Sequence, residues 1–246
     1  ESNVTPSSKP EPSSSSKGFE LSNKSKRYLT REDLPSDDSS NGPRAAPDLA
    51  ISNLDSCIVN LLPPQDSTAT FSALHIRNLS NCILLLPFCE ASVLIHDVKN
   101  CILVLGCHQV GVLWFLLEAD LQGYPVPNAQ LDEIDVYLRI TSNPIIETCS
   151  GIRFAMYPSR LAPQLLKEPV RTSLSPSSQP TPYITQPLPP FNVQDFSHIR
   201  ATPSPNFSMR ESKLQVEVQP WPTEPMSDPK ALEDTLITLL PETSAL

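Results

Sequence analysis

The sequence is short of glycine, of charged residues and of long apolar runs. Its 246 residues include 6 glycines and 18% charged residues, and 27 Asp and Glu against 18 Lys and Arg give a net charge of −9. This acidic balance argues against a nucleic-acid-binding protein, which needs a basic face to displace phosphate counterions. No apolar run reaches the roughly 18–20 residues that cross a bilayer. Neither nucleic acid nor a membrane is therefore expected among its partners.

Proline is plentiful but unevenly distributed. Of the 28 prolines, 16 follow Tyr157, whereas 7 lie between Arg44 and Tyr157. This imbalance predicts one globular block with disordered Pro/Ser-rich flanks. We expect a disordered linker over residues 1–17, a folded domain over residues 18–160, and a Pro-rich tail over residues 161–246 that packs back in part.

Six cysteines lie in surroundings rich in Val, Ile and Leu: Cys57, Cys82, Cys89, Cys101, Cys107 and Cys149. This context is typical of reduced cysteines that serve as small core residues in a cytosolic protein. No Cys-x-x-Cys occurs, and Cys107-His108 lacks a second ligand pair at zinc spacing. The four histidines form no Ser/His/Asp or Cys/His pattern. We therefore expect no metal site, no cofactor and no enzyme in its own right.

A repeat occupies the middle of the chain. Residues 73–86 align with residues 92–105 at a constant offset of 19, with coinciding apolar positions and Asn-Cys pairs, and a partial copy begins at Leu54. A fixed period near 20 with short β-branched runs is typical of stacked coils. Short strands without a helical crossover can pair only with the same strands of the next coil. The repeat therefore predicts a parallel β-helix that rises about 4.8 Å per coil.

The repeated strands are apolar on both faces over residues 82–86 and 101–105. One face fills the interior of the β-helix, and the other needs cover from the chain's own tail or from a partner, with the tail favoured. In the tail, Phe196 and Phe207 are expected to fold back as aromatic anchors. Asp228-Pro229 begins a short capped amphipathic pattern, interpreted as a marginal helix in a disordered tail in preference to a docking helix.

Six short blocks of residues carry a resemblance to one family. They are Asn100-Cys101, Cys107-His108-Gln109, Asp135-Val136-Tyr137-Leu138, Pro144-Ile145-Ile146-Glu147, Gly151-Ile152-Arg153-Phe154 and residues 203–208. Together they resemble the C-terminal domain of tubulin-binding cofactor C, the C-CAP/cofactor C-like domain. The resemblance implies an all-β fold, a right-handed parallel β-helix of roughly 20-residue coils, in agreement with the repeat.

The resemblance also implies a function. Cofactor C acts with cofactors D and E on the tubulin dimer, where it activates GTP hydrolysis by GTP-bound β-tubulin during tubulin complex assembly. A related protein, retinitis pigmentosa protein 2, acts in the same way on an Arf-like GTPase. By this resemblance the chain is expected to be a monomeric, cytoplasmic tubulin-folding cofactor associated with microtubules.

The family implies a mechanism that this chain carries only in part. Members have a Gln-x-Arg-x-His-like segment whose arginine enters the nucleotide site of the partner, where its guanidinium stabilises charge on the phosphoryl oxygens. Gln109 matches the glutamine, and Glu147 matches the glutamate that orients the arginine. A polar turn residue and a solvated strand-end carboxylate are their alternative interpretations. The arginine position holds Gly111, and no arginine occurs from residue 78 to residue 138.

Residues 110–127 form an atypical insertion where the family has a much shorter connection. If the β-helix resumes in register, Cys101 pairs with Ile134 at an offset of 33, and surface insertions of this kind cost little loop entropy. The segment is interpreted as a splice variant or a stretch of non-coding sequence in preference to a genuine lid or docking hairpin.

The missing arginine sets the functional prediction. We expect this chain to bind its partner but to activate GTP hydrolysis poorly, unless Arg139 or Arg153 replaces the finger. The alternative is a non-catalytic binding module for tubulin or an Arf-like GTPase. The actin-monomer binding of the related cyclase-associated proteins is less favoured, because their domain lacks this arginine machinery.

Overall fold

The computed structural model describes residues 18–35, 46–64, 70–113, 133–161, 191–210 and 219–241. The predicted linker 1–17, most of the predicted insertion and the first part of the tail lie outside these residues. The strands are β1 Phe19–Ser25, β2 Tyr28–Leu29, β3 Leu49–Asp55, β4 Ile58–Asn60, β5 Leu74–Ser80, β6 Ile83–Lys99, β7 Cys101–Leu113, β8 Ile134–Ile140, β9 Ile145–Glu147, β10 Ile152–Met156, β11 Gln194–Asp195 and β12 Phe207–Met209. Short 3-10 turns cover Arg31–Asp33 and Ser159–Leu161, and helix α1 covers Pro229–Leu239.

The strands pair in parallel between successive coils and form two stacks. The first stack contains β1, β3, β5, the C-terminal halves of β6 and β7, then β9 and β11. The second contains β2, β4, the N-terminal halves of β6 and β7, then β8, β10 and β12. The predicted parallel β-helix is confirmed. Leu74 pairs with Val93 and Ile83 with Ile102, the offset of 19 read from the repeat.

The β-helix resumes in register after the insertion. Cys101 pairs with Ile134, as the offset of 33 predicts. The structure differs from the predicted boundary of the insertion, because Val110 to Leu113 continue strand β7. Val110 and Val112 are buried among the core side chains of the first stack. Their alternation with outward residues keeps this segment in the sheet.

Asparagine and aspartate side chains turn the chain at equivalent places in successive coils. Asn23, Asn53, Asn78 and Asp97 have φ between 53° and 57°, in the left-handed region that Asn and Asp tolerate. The Nδ2 of Asn53 donates to Oδ1 of Asn23 at 3.1 Å, and the Nδ2 of Asn78 donates to Oδ1 of Asn53 at 2.6 Å. These stacked amides hold neighbouring coils together at a bend within the strands of the first stack.

The outer face of the second stack is covered by the tail. Leu232 and Leu236 of α1 are buried in one cluster with Ile58, Ile83 and Ile102 of the strands. The prediction that the tail covers this face is confirmed. The interpretation of α1 as a marginal helix in a disordered tail is wrong, because burial against the sheet stabilises a short helix that propensity alone does not.

The ends of α1 and the thiols follow the sequence-based expectations. Asp228 is the N-cap, its side chain accepting from the backbone N–H of Lys230, with Pro229 in the first turn.

All six cysteines have free thiols and are buried, which confirms them as small core residues. Burial raises the pKa of Cys89 to about 11. In the described part of the chain, no helix is long and apolar enough to cross a membrane.

Truncation of the helix contact tests the role of α1 in covering the sheet. Leu236→Ala should lower the free energy of unfolding by about 2–4 kcal/mol, because it leaves a cavity in the cluster. Ile237→Ala is the matched control, since Ile237 is 73% exposed one residue further along and should change stability by less than about 0.5 kcal/mol. Urea unfolding followed by tryptophan fluorescence measures both, and equal effects would contradict the packing of α1.

Candidate functional site

The first stack has an outward face that no part of α1 covers. Successive strand residues point to opposite sides, so the residues between the buried core positions face outward. In the last coils these outward residues are Ser92, Leu94, His96, Gln109, Gly111, Ile145, Glu147, Gln194 and Phe196. We call this set the candidate face.

The candidate face holds both residues that the sequence singled out. Gln109 is exposed and pairs with Ser92 of the preceding coil, within β7 and not in a turn. Glu147 is exposed at the end of β9, where its register partner is Leu113. The fold therefore brings Gln109 and Glu147, 38 positions apart in the sequence, onto adjacent strands of one surface.

Gly111 lies between these two residues. Its register partners are Leu94 on the coil before and Ile145 on the coil after. Among the described residues, the atom that a Cβ added at Gly111 would meet is Leu94 Cδ1, at 3.8 Å, an ordinary van der Waals contact. Glu147 lies diagonally across the strand pair, two residues beyond Ile145, a Cα separation of about 7–8 Å. Position 111 therefore has room for a Cβ atom, and Glu147 lies within the length of a long side chain from it.

The arginines proposed as replacements lie elsewhere. Arg153 is on β10 in the second stack, where it pairs with Glu133 at 2.7 Å and Asp135 at 2.6 Å. Arg139 pairs in register with Gly106, also in the second stack. Sequence reasoning missed Arg77, which is exposed on β5 opposite His96 and so lies on the same outward surface, two coils from Gly111.

Sequence comparison with known proteins finds similar chains. The model of the family described as "Tubulin binding cofactor C" matches residues 46–113, from the approach to β3 to the end of β7. Tubulin-folding cofactor C of Arabidopsis thaliana is 30% identical over 171 residues, 70% of this chain and 40% of that protein. Over these residues the chain is therefore cofactor C-like.

Mammalian relatives of this cofactor C-like domain are more distant. Tubulin-specific chaperone C of Mus musculus is 27% identical and that of Homo sapiens 26% identical, each over 110 residues. These alignments cover 45% of this chain and 26% and 25% of the two mammalian proteins. The chain thus spans less than half the length of the curated relatives that it matches.

A buried charged network fastens the tail of the cofactor C-like domain to its second stack. Asp135 is 1% exposed, and its two carboxylate oxygens accept from Nε of Arg153 at 2.6 Å and Nη1 of Arg210 at 2.5 Å. The same Nη1 donates to the hydroxyl of Tyr137 at 2.6 Å. Burial and the charge of Asp135 raise the pKa of Tyr137 to about 12, against the opposing charges of the two arginines. Tyr137 therefore stays a neutral phenol here.

The two aromatic residues of the tail have different environments. Phe207 packs edge-on against Phe154, with ring centroids 6.2 Å apart, so it is an anchor as predicted. Phe196 is 57% exposed, and the prediction that it anchors the tail is wrong. Its backbone N–H donates to the carbonyl oxygen of Ile146 at 3.0 Å, which places Phe196 on the candidate face beside Glu147.

The described residues of the cofactor C-like domain offer little to a metal ion. Among them, no three His, Cys, Asp or Glu side chains are grouped so that they could hold one. The chemistry available on the candidate face is that of an amide, a carboxylate and an exposed aromatic ring around a glycine.

Proposed function

We propose that the chain is a tubulin-folding cofactor C-like protein that docks on the tubulin dimer through the candidate face. The names of its relatives, tubulin-folding cofactor C and tubulin-specific chaperone C, support tubulin as the partner. The arrangement of Gln109 and Glu147 around position 111 supports this face as the contact. The domain then acts as a monomer in the cytoplasm, associated with microtubules.

The proposed partners are GTP-bound β-tubulin and tubulin cofactors D and E. In this role the domain presents the face to the nucleotide site of tubulin, where negative charge develops on the phosphoryl oxygens during hydrolysis. An arginine stabilises that charge with directed donors. Gln109 can position a group and Glu147 can orient a cation, but neither side chain supplies the positive charge.

The observation that carries the proposal is Gly111 at the centre of the face. The resemblance predicts an arginine at position 111, and this chain has a glycine there, between Gln109 and Glu147 on adjacent strands. The chain is therefore proposed to bind tubulin while activating its GTP hydrolysis weakly.

The second candidate function is a non-catalytic binding module for tubulin or for an Arf-like GTPase. The same glycine favours it, because binding needs the shape of the face and not the guanidinium. The two functions differ in their prediction for hydrolysis: weak activation in the first and none in the second.

The experiment combines the full chain with purified tubulin, cofactors D and E, and GTP. Capture of tubulin by the immobilised chain measures binding, and release of inorganic phosphate per tubulin dimer measures activation. We expect binding with phosphate release only slightly above the rate without the chain. Failure to capture tubulin, with capture of an Arf-like GTPase in a parallel assay, would contradict the tubulin assignment. Full activation by the unmodified chain would contradict the proposed impairment, and loss of that activation in Arg77→Ala would assign it to Arg77.

A further inference from the structure

We infer that the loop of residues 196–202, which follows β11, is a second contact with the same protein partner, and that Ile199 is its central side chain. We call residues 196–202 the terminal loop. The inference rests on the proposed function, because it assigns an additional surface to the partner that docks on the candidate face.

The terminal coil, which comprises β11, the terminal loop and β12, carries most of the large apolar side chains exposed in the described part of the chain. In the described part of the chain four large apolar side chains are exposed: Phe196, Ile199, Met209 and Ile237. The first three belong to the terminal coil, and Ile199 is the most exposed of all at 94%. Single exposed apolar residues are ordinary, whereas a cluster of them on one surface is typical of an interaction site.

The terminal loop is held in one shape by hydrogen bonds. Asp195 Oδ1 accepts from the backbone N–H of Ser197 at 2.9 Å. Its Oδ2 accepts from Ser204 Oγ at 2.5 Å and Asn206 Nδ2 at 2.7 Å. Nε2 of His198 lies 2.9 Å from the carbonyl oxygen of Thr202 and closes the loop. Because the loop is ordered before binding, the partner does not have to offset the entropy of ordering it.

The same hydrogen bonds fix the charge of Asp195. Burial works to raise the pKa of its carboxyl, but the bonds from Ser204, Asn206 and Ser197 outweigh burial and lower it. Asp195 is therefore ionised at neutral pH and remains an acceptor for all three donors.

The terminal loop is continuous with the candidate face. The hydroxyl of Ser197 accepts from the backbone N–H of Thr148 at 2.5 Å, the residue next to Glu147. Phe196, the first residue of the loop, already lies on the face. A protein that covers Gln109 and Glu147 therefore reaches Phe196, where the loop that carries Ile199 begins.

The surroundings of Ile199 indicate what it fits. Exposed Arg200 follows it directly, and Arg200 and Met209 line a groove of about 480 Å³ between the loop and β12. An exposed apolar side chain beside a cation is complementary to an apolar pocket with a carboxylate at its edge. We therefore assign the terminal loop to a surface of this kind on the partner, next to the nucleotide site.

The test compares two aspartate substitutions in the full chain. Ile199→Asp should weaken binding to purified tubulin dimer, loaded with a non-hydrolysable GTP analogue, by at least about tenfold, because a charge enters an apolar contact. Most of the loss should be in faster dissociation, measured by biolayer interferometry. Ile237→Asp is the matched control, since Ile237 is 73% exposed on α1, which covers the second stack, and its binding should not change.

A second substitution removes the apolar side chain of Ile199 without introducing a charge. Ile199→Ala should weaken binding by several-fold, in the same direction as Ile199→Asp. Tubulin binding by the unmodified chain that neither Ile199 variant reduces would overturn the inference, as would equal losses in the Ile199 and Ile237 aspartate variants. Absence of tubulin binding by the unmodified chain would overturn the proposed function, and this inference with it.

Discussion

Gly111→Arg should raise the GTP hydrolysis that the chain stimulates in tubulin by at least about a hundredfold. An arginine supplied in trans to a GTPase contributes about 10³–10⁵ in rate, and the resemblance to the family predicts that arginine at position 111. The measurement is single-turnover release of inorganic phosphate from GTP-loaded tubulin with cofactors D and E, with the unmodified chain and the variant at saturating concentration.

The backbone and the described neighbours of Gly111 admit a Cβ atom at this position. The backbone at Gly111 is part of strand β7 and does not have positive φ, so an L-residue is not strained there. Its Cβ would lie 3.8 Å from Leu94 Cδ1. Glu147 is diagonal to position 111 across the strand pair, within reach of a guanidinium that it would orient. The new side chain then extends from the candidate face in a fixed direction.

Two control variants test whether the gain in hydrolysis rate needs the guanidinium itself, and not just a positive charge, and whether it needs Glu147 to orient that group. Gly111→Lys adds the charge without the planar fork of donors and should recover only a small part of the gain. Glu147→Gln added to Gly111→Arg should remove much of the gain while leaving tubulin capture intact. Equal hydrolysis rates for the unmodified chain and Gly111→Arg, with tubulin bound by both, would sink the proposed role of this face in activation.

The repeat made the core of the fold predictable. The Asn-Cys pairs and the apolar alternation predict the period of 19, seen in the pair Leu74 with Val93. The length of the insertion relative to the family predicts the offset of 33, seen in the pair Cys101 with Ile134. A slip of one residue would turn every core side chain to the wrong face. Register is therefore strongly specified by the local pattern alone.

The tail was less predictable because its structure depends on what it packs against. The eleven residues of α1 have a good N-cap, but an isolated helix of this length is marginal in water. Its stability comes from burying Leu232 and Leu236 on a sheet face whose exposed apolar area the repeat does predict. The sequence indicates that this apolar face must be shielded from water, and the structure shows which segment shields it.

The sequence singled out individual residues of the candidate face but did not indicate which residues surround them. By the resemblance, Gln109 and Glu147 match residues of the family pattern, and Gly111 departs from it. The exposure of Phe196 could not be predicted, because an aromatic residue in a tail is as often buried as displayed. Arg77 was overlooked because the proximity of β5 to this surface follows from stacking two coils away and not from sequence distance.

Asp135→Ala should lower the free energy of unfolding by about 1.5–3 kcal/mol, because it removes the buried carboxylate that two partly exposed arginines share. The side chain of Asp135 is 2% exposed and binds Arg153 on the next coil and Arg210 beyond the last strand. Glu133→Gln is the matched control: Glu133 pairs with the same Arg153 at 2.7 Å, but its side chain is 27% exposed. That pair should contribute about 1 kcal/mol or less. Urea unfolding of the full chain measures both variants.

A double-mutant cycle tests whether Asp135 acts by holding the tail. If the carboxylate is the group that binds Arg210, then Arg210→Ala should cost far less in the Asp135→Ala background than in the unmodified chain, because the partner is already gone. The same cycle with Arg77→Ala, a substitution of an exposed residue of β5 in the first stack, should be additive. Additive effects of Asp135→Ala and Arg210→Ala, or a loss for Asp135→Ala no larger than that for Glu133→Gln, would show that the buried carboxylate does not fasten β12 to the second stack.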